Sequence, residues 1–386
     1  MTVNRFAFPT TIHFGPGARK LVAEHLGTQR VKRPLVVTDR GIAPLPMLQS
    51  FIGELAGLDA AVYSEIWGNP VKSQVEAGVA AFRAHGADAV IGFGGGAALD
   101  VAKAIALMVT HPGDVLEYAW DHPRVRPIER ELPYFIALPT TAGTGSEVGR
   151  SSVISDDATH VKKIVFSPKL LAKAVFADPE LTLDLPAHIT AATGMDALTH
   201  NVESYLSPAY HPLCDGIALE GTRIAARSLR TAVREPRNLE ARSDMLMASM
   251  MGAIAFQKDL GAVHSCAHAL STVADLHHGL ANGIMIDHVM RFNLAAATAK
   301  MAELAHVVGA AEHTDEASAR AFVEWLAALK RELAIPATLG AYAAKRQVTK
   351  ADIPALVEVA INDTCHQTNP RPCTRADFER IFAEAM

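Results

Sequence analysis

Cysteine is scarce in this chain, with four in 386 residues and no Cys-x-x-Cys pair. That excludes a disulfide framework and a cysteine-built zinc module, and Cys214, Cys266, Cys365 and Cys373 read as reduced thiols of a cytosolic protein. Aromatic residues are also few, at 6%, although hydrophobic residues reach 49%. Alanine and leucine dominate the apolar set, which favours helix. No stretch reaches the ~20 uninterrupted apolar residues of a membrane span, and Met1–Pro9 has no apolar segment of the secretory-signal kind. Charge of one sign is not in excess either: the net charge is −5, which argues against nucleic acid and anionic membranes as partners. The expectation is a cytoplasmic protein that acts on small molecules.

At 386 residues the chain exceeds the size at which one hydrophobic core keeps growing, so two domains are expected. Its two halves differ in texture. Pro34–Asp39, Ala61–Ser64, Ala89–Phe93 and Tyr134–Leu138 are short apolar runs with the character of buried strands. Gln74–His85 and Leu99–Val109 carry a helical period. Strand, helix, strand in repetition predicts a parallel sheet covered by helices. Beyond Pro179 and Pro186 the sequence turns to long alanine-rich helices. Residues 1–183 are therefore read as an α/β domain and 184–386 as an all-helical one.

Three segments carry chemistry. In the helical half, Asp196 and His200 are four apart, as are His264 and His268, so each pair shares a helix face. His277 and His278 follow. A single His-x-x-x-His pair is commonly an ordinary helix face. Two apolar helices that both carry such groups are harder to explain without a ligand, because these groups are costly to bury unpaired. One carboxylate with several imidazoles suits Fe²⁺ or Zn²⁺ better than Ca²⁺ or Mg²⁺. In the first half, Gly94-Gly95-Gly96 lies between a strand and a helix, where backbone N–H groups and the helix N-terminus favour a phosphate. It is neither the Gly-x-Gly-x-x-Gly fingerprint nor a Walker loop. Lastly, Pro139–Val148 holds two glycines and four hydroxyl residues at the carboxyl end of a strand, where open α/β sheets bind ligands.

Taken in order, Gly94-Gly-Gly-x-x-x-Asp100-x-Ala-Lys103, Pro139–Val148, Gly194-Met-Asp196-Ala-Leu-Thr-His200, Gly261-x-x-His264-x-x-Ala-His268 and His278-Gly-x-x-Asn282 closely resemble the iron-containing (group III) alcohol dehydrogenase family. The match runs from Phe14-Gly-Pro-Gly17 to Cys365-x-x-x-Asn369-Pro-Arg371. The resemblance implies an N-terminal dinucleotide-binding α/β domain, an all-α C-terminal metal-binding and catalytic domain, and a site in the cleft between them, an architecture shared with dehydroquinate synthase. It implies Asp196, His200, His264 and His278 as ligands of Fe²⁺ or Zn²⁺, and His268 as a proton relay beside the nicotinamide. For NAD it implies contacts from Asp39, Gly94, Gly95, Gly96, Asp100, Thr140, Thr141, Thr144 and Lys163, with Asp39 on the adenosine ribose, where its charge would repel a 2′-phosphate. Relatives are often dimers or larger, so a homodimer or larger homo-oligomer is expected. Asp287 departs from the family's habit of placing Pro there.

The first functional reading is thus a metal-dependent NAD(H) oxidoreductase that interconverts a primary alcohol and its aldehyde. A metal- and NAD-dependent lyase or cyclase of the dehydroquinate synthase type is the alternative, but that would place a Glu where this chain has the Asp196/His200 pair. A non-catalytic nucleotide-binding protein is a third reading, opposed by the complete Asp/His set. For the substrate, Arg150, Ser151, Phe256, Lys258 and Cys365 are the candidates. Lys258 and Arg150 together suggest a basic pocket for a short hydroxy acid and its semialdehyde, 4-hydroxybutyrate being the first to try. A surface ion pair between Lys258 and Asp259 would leave the same trace in sequence.

Overall fold

The computed structural model of the chain describes Phe8, residues 10–342 and residues 346–386. Residues 1–7 and Pro9, at the start of the expected first domain, lie outside the described residues. Two compact units emerge, one formed by Phe8–Thr141 with Gly145–Leu183, the other by Asp184–Met386 with Ala142–Thr144.

The first unit is built on strands β1 (Thr11–Phe14), β2 (Pro34–Val37), β3 (Ala61–Tyr63), β4 (Ala89–Gly94), β5 (Tyr134–Pro139) and β8 (Ala174–Ala177), in the order β1-β8-β5-β4-β2-β3 and all parallel. The inner strands are buried along nearly their whole length, as expected for a sheet covered on both faces. Helices α1 (Val22–Thr28), α2 (Pro46–Glu54), α3 (Lys72–His85) and α4 (Gly96–Met108) cross between strands. On one face Phe51 of α2 stacks on Phe93 of β4 at 4.9 Å, within a cluster that includes Val36, Ile91, Ile136 and Phe176. Between β5 and β8 lies an antiparallel hairpin, β6 (Ser151–Ser155) with β7 (Lys162–Phe166). The four expected strands and two expected helices are present, while β1, the hairpin and β8 were not anticipated. β1 is an edge strand with a partly exposed pattern, the hairpin strands mix polar with apolar residues, and β8 is a Val-Phe pair between alanines, so none shows a clear strand pattern.

The second unit is helical: α5 (Ala187–Leu206), α6 (Pro212–Arg234), α7 (Leu239–Ala255), α8 (Ala262–Ala274), α9 (His278–Asn293), α10 (Thr298–Val308), α11 (Asp315–Glu332), α12 (Ile353–Asn362) and α13 (Arg375–Glu384). Helix α5 is buried on all sides from Thr190 to Leu206. A helix so enclosed must satisfy its polar groups internally. Thr193 and Thr199 donate back to the carbonyls of Ile189 and Met195 at 2.9 and 2.7 Å, and Asn201 donates to Ala197 and Ala248. Its Asp196 and Glu203 are partnered by groups on α8 and α9, and the His200 ring stacks on that of His264 of α8. These two helices are joined by three residues, of which Asp275, at φ 51°, ends α8 and His277 caps α9.

Asp287 finds its explanation here. It pairs with Lys330 of α11, whose ammonium also donates to the Ile284 carbonyl at 2.7 Å. Burial pulls the Lys330 pKa down and Asp287 opposes this. The pair anchors α9, the helix that begins with His278. Removing one partner of such a pair strands a buried charge, so Lys330→Met should cost roughly 3–5 kcal/mol in chemical denaturation, and Asp287→Leu added to it should recover much of that loss. A Lys330→Met protein within 1 kcal/mol of wild type, on the order of a surface pair's worth, would contradict the anchoring role.

Candidate functional site

Helix α5 presents Asp196 and His200 one turn apart, α8 presents His264, and the first residue of α9 is His278. The Nε2 atoms of His278, His264 and His200 stand 3.5, 3.7 and 3.9 Å from Oδ1 of Asp196. Ligand atoms held tetrahedrally around one ion with bonds of 2.0–2.2 Å would be about 3.3–3.6 Å apart. The donor set, one carboxylate oxygen and three imidazole nitrogens, is that of a borderline divalent cation. Asn282, one turn along α9 from His278, donates to Asp196 Oδ1 at 2.7 Å, and its Oδ1 is buried with no hydrogen-bond partner. The ligand atoms of Asp196, His200 and His264 all lie within 4.8 Å of one another, and His278 reaches the same Asp196 oxygen from α9, so the residues fit a resident metal ion. His277 instead uses its ring nitrogen to cap α9 at the N–H of Leu280, so the chain sends the adjacent imidazoles to different tasks.

The electrostatics agree with that fit. Burial would raise the carboxyl pKa of Asp196, but the surrounding His200, His278 and His264 hold it well below the usual carboxylate range. Burial pushes His200 down to about 4, leaving a neutral ring with a free lone pair for coordination. His264 goes the other way. Burial opposes its charge, yet the Asp196 carboxylate and the hydrogen bond to Glu203 push it up to about 9, so a metal ion binding at Nε2 has to displace a proton there.

His268 lies one turn beyond His264, and its ring stacks on that of His278 at 5.3 Å. Its Nδ1 is 2.7 Å from Asp363 Oδ2. The other oxygen of Asp363 accepts from Ser265 Oγ at 2.7 Å and from the Cys365 N–H at 2.9 Å. Burial would raise Asp363, but the charge of His268 and these hydrogen bonds hold it well below its ordinary value. Cys365 joins His268 and Asp363 in one cluster, and burial pushes its thiol well up, so it is not a thiolate nucleophile. Phe256 packs its ring 5.3 Å from that of His200.

Lys258 is placed otherwise than the basic-pocket expectation had it. Its side chain is fully buried, ion-paired with Asp215 of α6 and 3.4 Å from the Tyr205 carbonyl. Its ammonium is spent inside the helical unit and is not available to a carboxylate substrate, and Asp259 is not its partner. Arg150 belongs to the sheet unit, with its guanidinium 5.5 Å above the Phe166 ring. Ser151 offers its carbonyl to Lys103 at 2.8 Å.

In the sheet unit, the carboxyl ends of the neighbouring strands β2, β4 and β5 bring Asp39, Gly94 and Thr140 side by side. Thr140 N–H donates to the Gly94 carbonyl at 3.0 Å. Gly94 has φ +156°, and a Cβ there would lie 2.6 Å from that of Ala98, so no larger residue serves. Gly95 caps α4, whose first residue is Gly96, beside Thr141. Asp39 Oδ1 accepts from the N–H groups of Gly41 and Ile42 at 2.8 and 3.0 Å, which fixes the carboxylate and leaves Oδ2 toward the glycine loop. Asp100, expected as a cofactor contact, is engaged within the protein: its oxygens accept from Ser146 Oγ at 2.6 Å and Val153 N–H at 3.1 Å. The fully buried Lys103 spends its three protons on Ser146 and Ser151. These bonds hold the hydroxyl-rich loop in place from α4. Lys163 pairs with Asp121 at 2.6 Å, and Thr144 groups with the helical unit.

Three residues escaped the sequence reading as functional. Asn282 stood inside a quoted motif, four residues from His278, and Glu203 three residues beyond another, seven from Asp196, and the helical period was the available signal. Asp363 is brought to His268 from α12's end by tertiary folding alone.

The family model described as iron-containing alcohol dehydrogenase matches residues 9–179, and its C-terminal counterpart matches residues 190–386. A 4-hydroxybutyrate dehydrogenase of Cupriavidus necator is 37% identical over 98% of both chains. Among solved structures, a 1,3-propanediol oxidoreductase superposes with a TM-score of 0.93 at 34% identity, over 100% of each chain. A sulfoacetaldehyde reductase from Bifidobacterium kashiwanohense, solved in complex with NAD⁺, gives 0.88 at 27% identity, over 100% of this chain and 99% of that one.

Replacing His264 with Ala should abolish both bound metal and turnover. Replacing His268 with Ala should leave the metal and lower turnover by roughly 10²–10⁴-fold, the usual worth of a positioned proton donor. Elemental analysis of dialysed protein checks both, and loss of stoichiometric metal from the His268 variant would refute this division of labour.

Proposed function

The chain belongs to the iron-containing alcohol dehydrogenase family, and on that premise we propose that it interconverts a short, uncharged primary alcohol and its aldehyde using NAD(H) and a divalent metal held by Asp196, His200, His264 and His278. The observation that carries this reading is the convergence of three Nε2 atoms on one carboxylate oxygen at 3.5–3.9 Å. When bound, the metal supplies a Lewis acid and NAD the hydride carrier. Fe²⁺ is the proposed native ion, with Zn²⁺ as the competitor that the general affinity order favours. The protein's own residues do the rest. His268 moves a proton at Nε2, because its Nδ1–H is committed to Asp363. Gly94, Gly95 and Gly96 leave room for the pyrophosphate at the start of α4, with Thr140 and Thr141 beside them. Asp39 accepts from the adenosine ribose and excludes a 2′-phosphate. We further propose a cytoplasmic homodimer or larger homo-oligomer; among the described residues no helix is long and apolar enough to cross a membrane.

The uncharged substrate is preferred because the buried pairing of Lys258 with Asp215 removes half of the basic pocket. A hydroxy acid and its semialdehyde form the second reading, favoured by the 4-hydroxybutyrate dehydrogenase relative. Comparing kcat/KM for butanal and succinic semialdehyde should show butanal ahead in wild type and in Arg150→Ala alike. A wild-type preference for the semialdehyde that disappears in Arg150→Ala would establish the acid reading instead.

Cofactor choice follows from Asp39. Asp39→Gly should relax discrimination against NADP, each tenfold change in the NAD:NADP ratio of kcat/KM being ~1.4 kcal/mol. Wild-type protein that already used both cofactors equally would show that Asp39 is not the reader.

A further inference from the structure

Glu203 lies on the same face of α5 as Asp196 and His200, one turn further on, and is 2% exposed. Both of its carboxylate oxygens are in use. Oε2 stands 2.6 Å from Nδ1 of His264, and Oε1 accepts the N–H of Val263 at 2.7 Å. Helix α8 has no side-chain cap of its own, because its N-cap residue is Gly261. Its first donors are met instead from elsewhere in the unit, by Glu203 at Val263 and by Asn369 at Ala262, 3.2 Å away. Gly261 is what makes this possible, since a Cβ there would lie 2.6 Å from Glu203 Oε1.

We infer that Glu203 is a positioning residue for the metal centre: it fixes His264 with its proton on Nδ1 and its Nε2 lone pair turned toward Asp196. The inference rests on the reading of His264 as a metal ligand. An imidazole coordinates through a nitrogen that carries no proton, so the group hydrogen-bonded to the opposite nitrogen decides whether the ring is ready. A carboxylate only accepts, so Nδ1 carries a proton, and in the neutral ring that a metal requires the bare nitrogen is then Nε2. The same carboxylate is bound to the backbone of α8, so the ring's tautomer and the helix's position relative to α5 are set by one group.

Glutamine cannot reproduce this. Its amide has one accepting oxygen and one donating nitrogen, while Val263 N–H and His264 Nδ1–H both need an acceptor. With the oxygen kept by Val263, the amide NH₂ faces Nδ1 and drives the ring proton to Nε2, the ligand atom. Glu203→Gln is therefore nearly isosteric with wild type and defective in one defined respect.

The test is Zn²⁺ affinity of chelator-stripped protein, measured by competition with a chromophoric chelator, together with the visible spectrum of the Co²⁺-loaded protein. Glu203→Gln should bind Zn²⁺ roughly 10–100-fold more weakly than wild type and show an altered Co²⁺ band. Gly261→Ala displaces the carboxylate without removing it, and should show the same loss should Glu203→Gln fail to fold. A folded Glu203→Gln protein with wild-type affinity and spectrum overturns the inference, even if its thermal midpoint has dropped, because that is the result of a merely structural carboxylate. His264→Ala is the control: if it too keeps wild-type affinity, the ligand reading itself fails, and not just the role of Glu203.

Discussion

An ionised carboxylate, Asp196, sits in the interior of the helical unit, and the arrangement around it is what makes that tolerable. A charge moved out of water costs several kcal/mol even after relaxation, on the order of the whole stability margin of a domain, unless it is paired and hydrogen-bonded. Here the compensation comes from three helices. His200 lies on the same helix, His264 on α8, and His278 with Asn282 on α9. The enclosure of α5, the short α8–α9 connection, and the second carboxylate of Glu203 against His264 all serve to bring those groups to one oxygen. A divalent cation completes the same logic, since it supplies the positive charge that His200 lacks and that His264 gives up when it coordinates.

The sheet unit solves a different problem with backbone rather than charge. Parallel strands deliver their carboxyl ends to one edge, and there Asp39, Gly94 and Thr140 stand on adjacent strands. The polar loop beyond β5 would be free to move were it not tied to α4 by Asp100 and Lys103, both engaged with Ser146. Burial pushes the neighbouring Glu147 up to about 7, the mark of a carboxyl held in a dry interior. Positions that resemble cofactor contacts in sequence can thus be the ones that shape the loop bearing such contacts.

Much of this was legible beforehand, for reasons that can be stated. Buried parallel strands such as Ala89–Gly94 are continuous apolar runs, and Asp196/His200 and His264/His268 repeat at helical spacing, so local periodicity exposes them. The edge strand Thr11–Phe14 is only partly buried and so has no continuous apolar run, while Ala174–Ala177 is a Val-Phe pair between alanines, which mark a strand weakly. Lys258 was misread because one charged residue in a sequence says nothing of a partner 43 positions away, in this case Asp215. Asp363 was invisible for the same reason, being 95 positions from His268. Asp287 looked like an unexplained departure until its counterion on α11 was seen. Pairings across sequence distance are where a linear reading runs out.

The central claim is that one buried carboxylate gathers the metal site, and Asp196→Asn tests it most directly because it removes the charge and almost none of the volume. Metal stoichiometry should be measured after stripping, incubation with Fe²⁺ or Zn²⁺ under matched conditions and removal of unbound ion, with circular dichroism to check the fold. The account predicts a folded Asp196→Asn protein that retains essentially no metal, beside a wild type with one ion per chain. A folded Asp196→Asn protein that holds a stoichiometric ion as wild type does would contradict it.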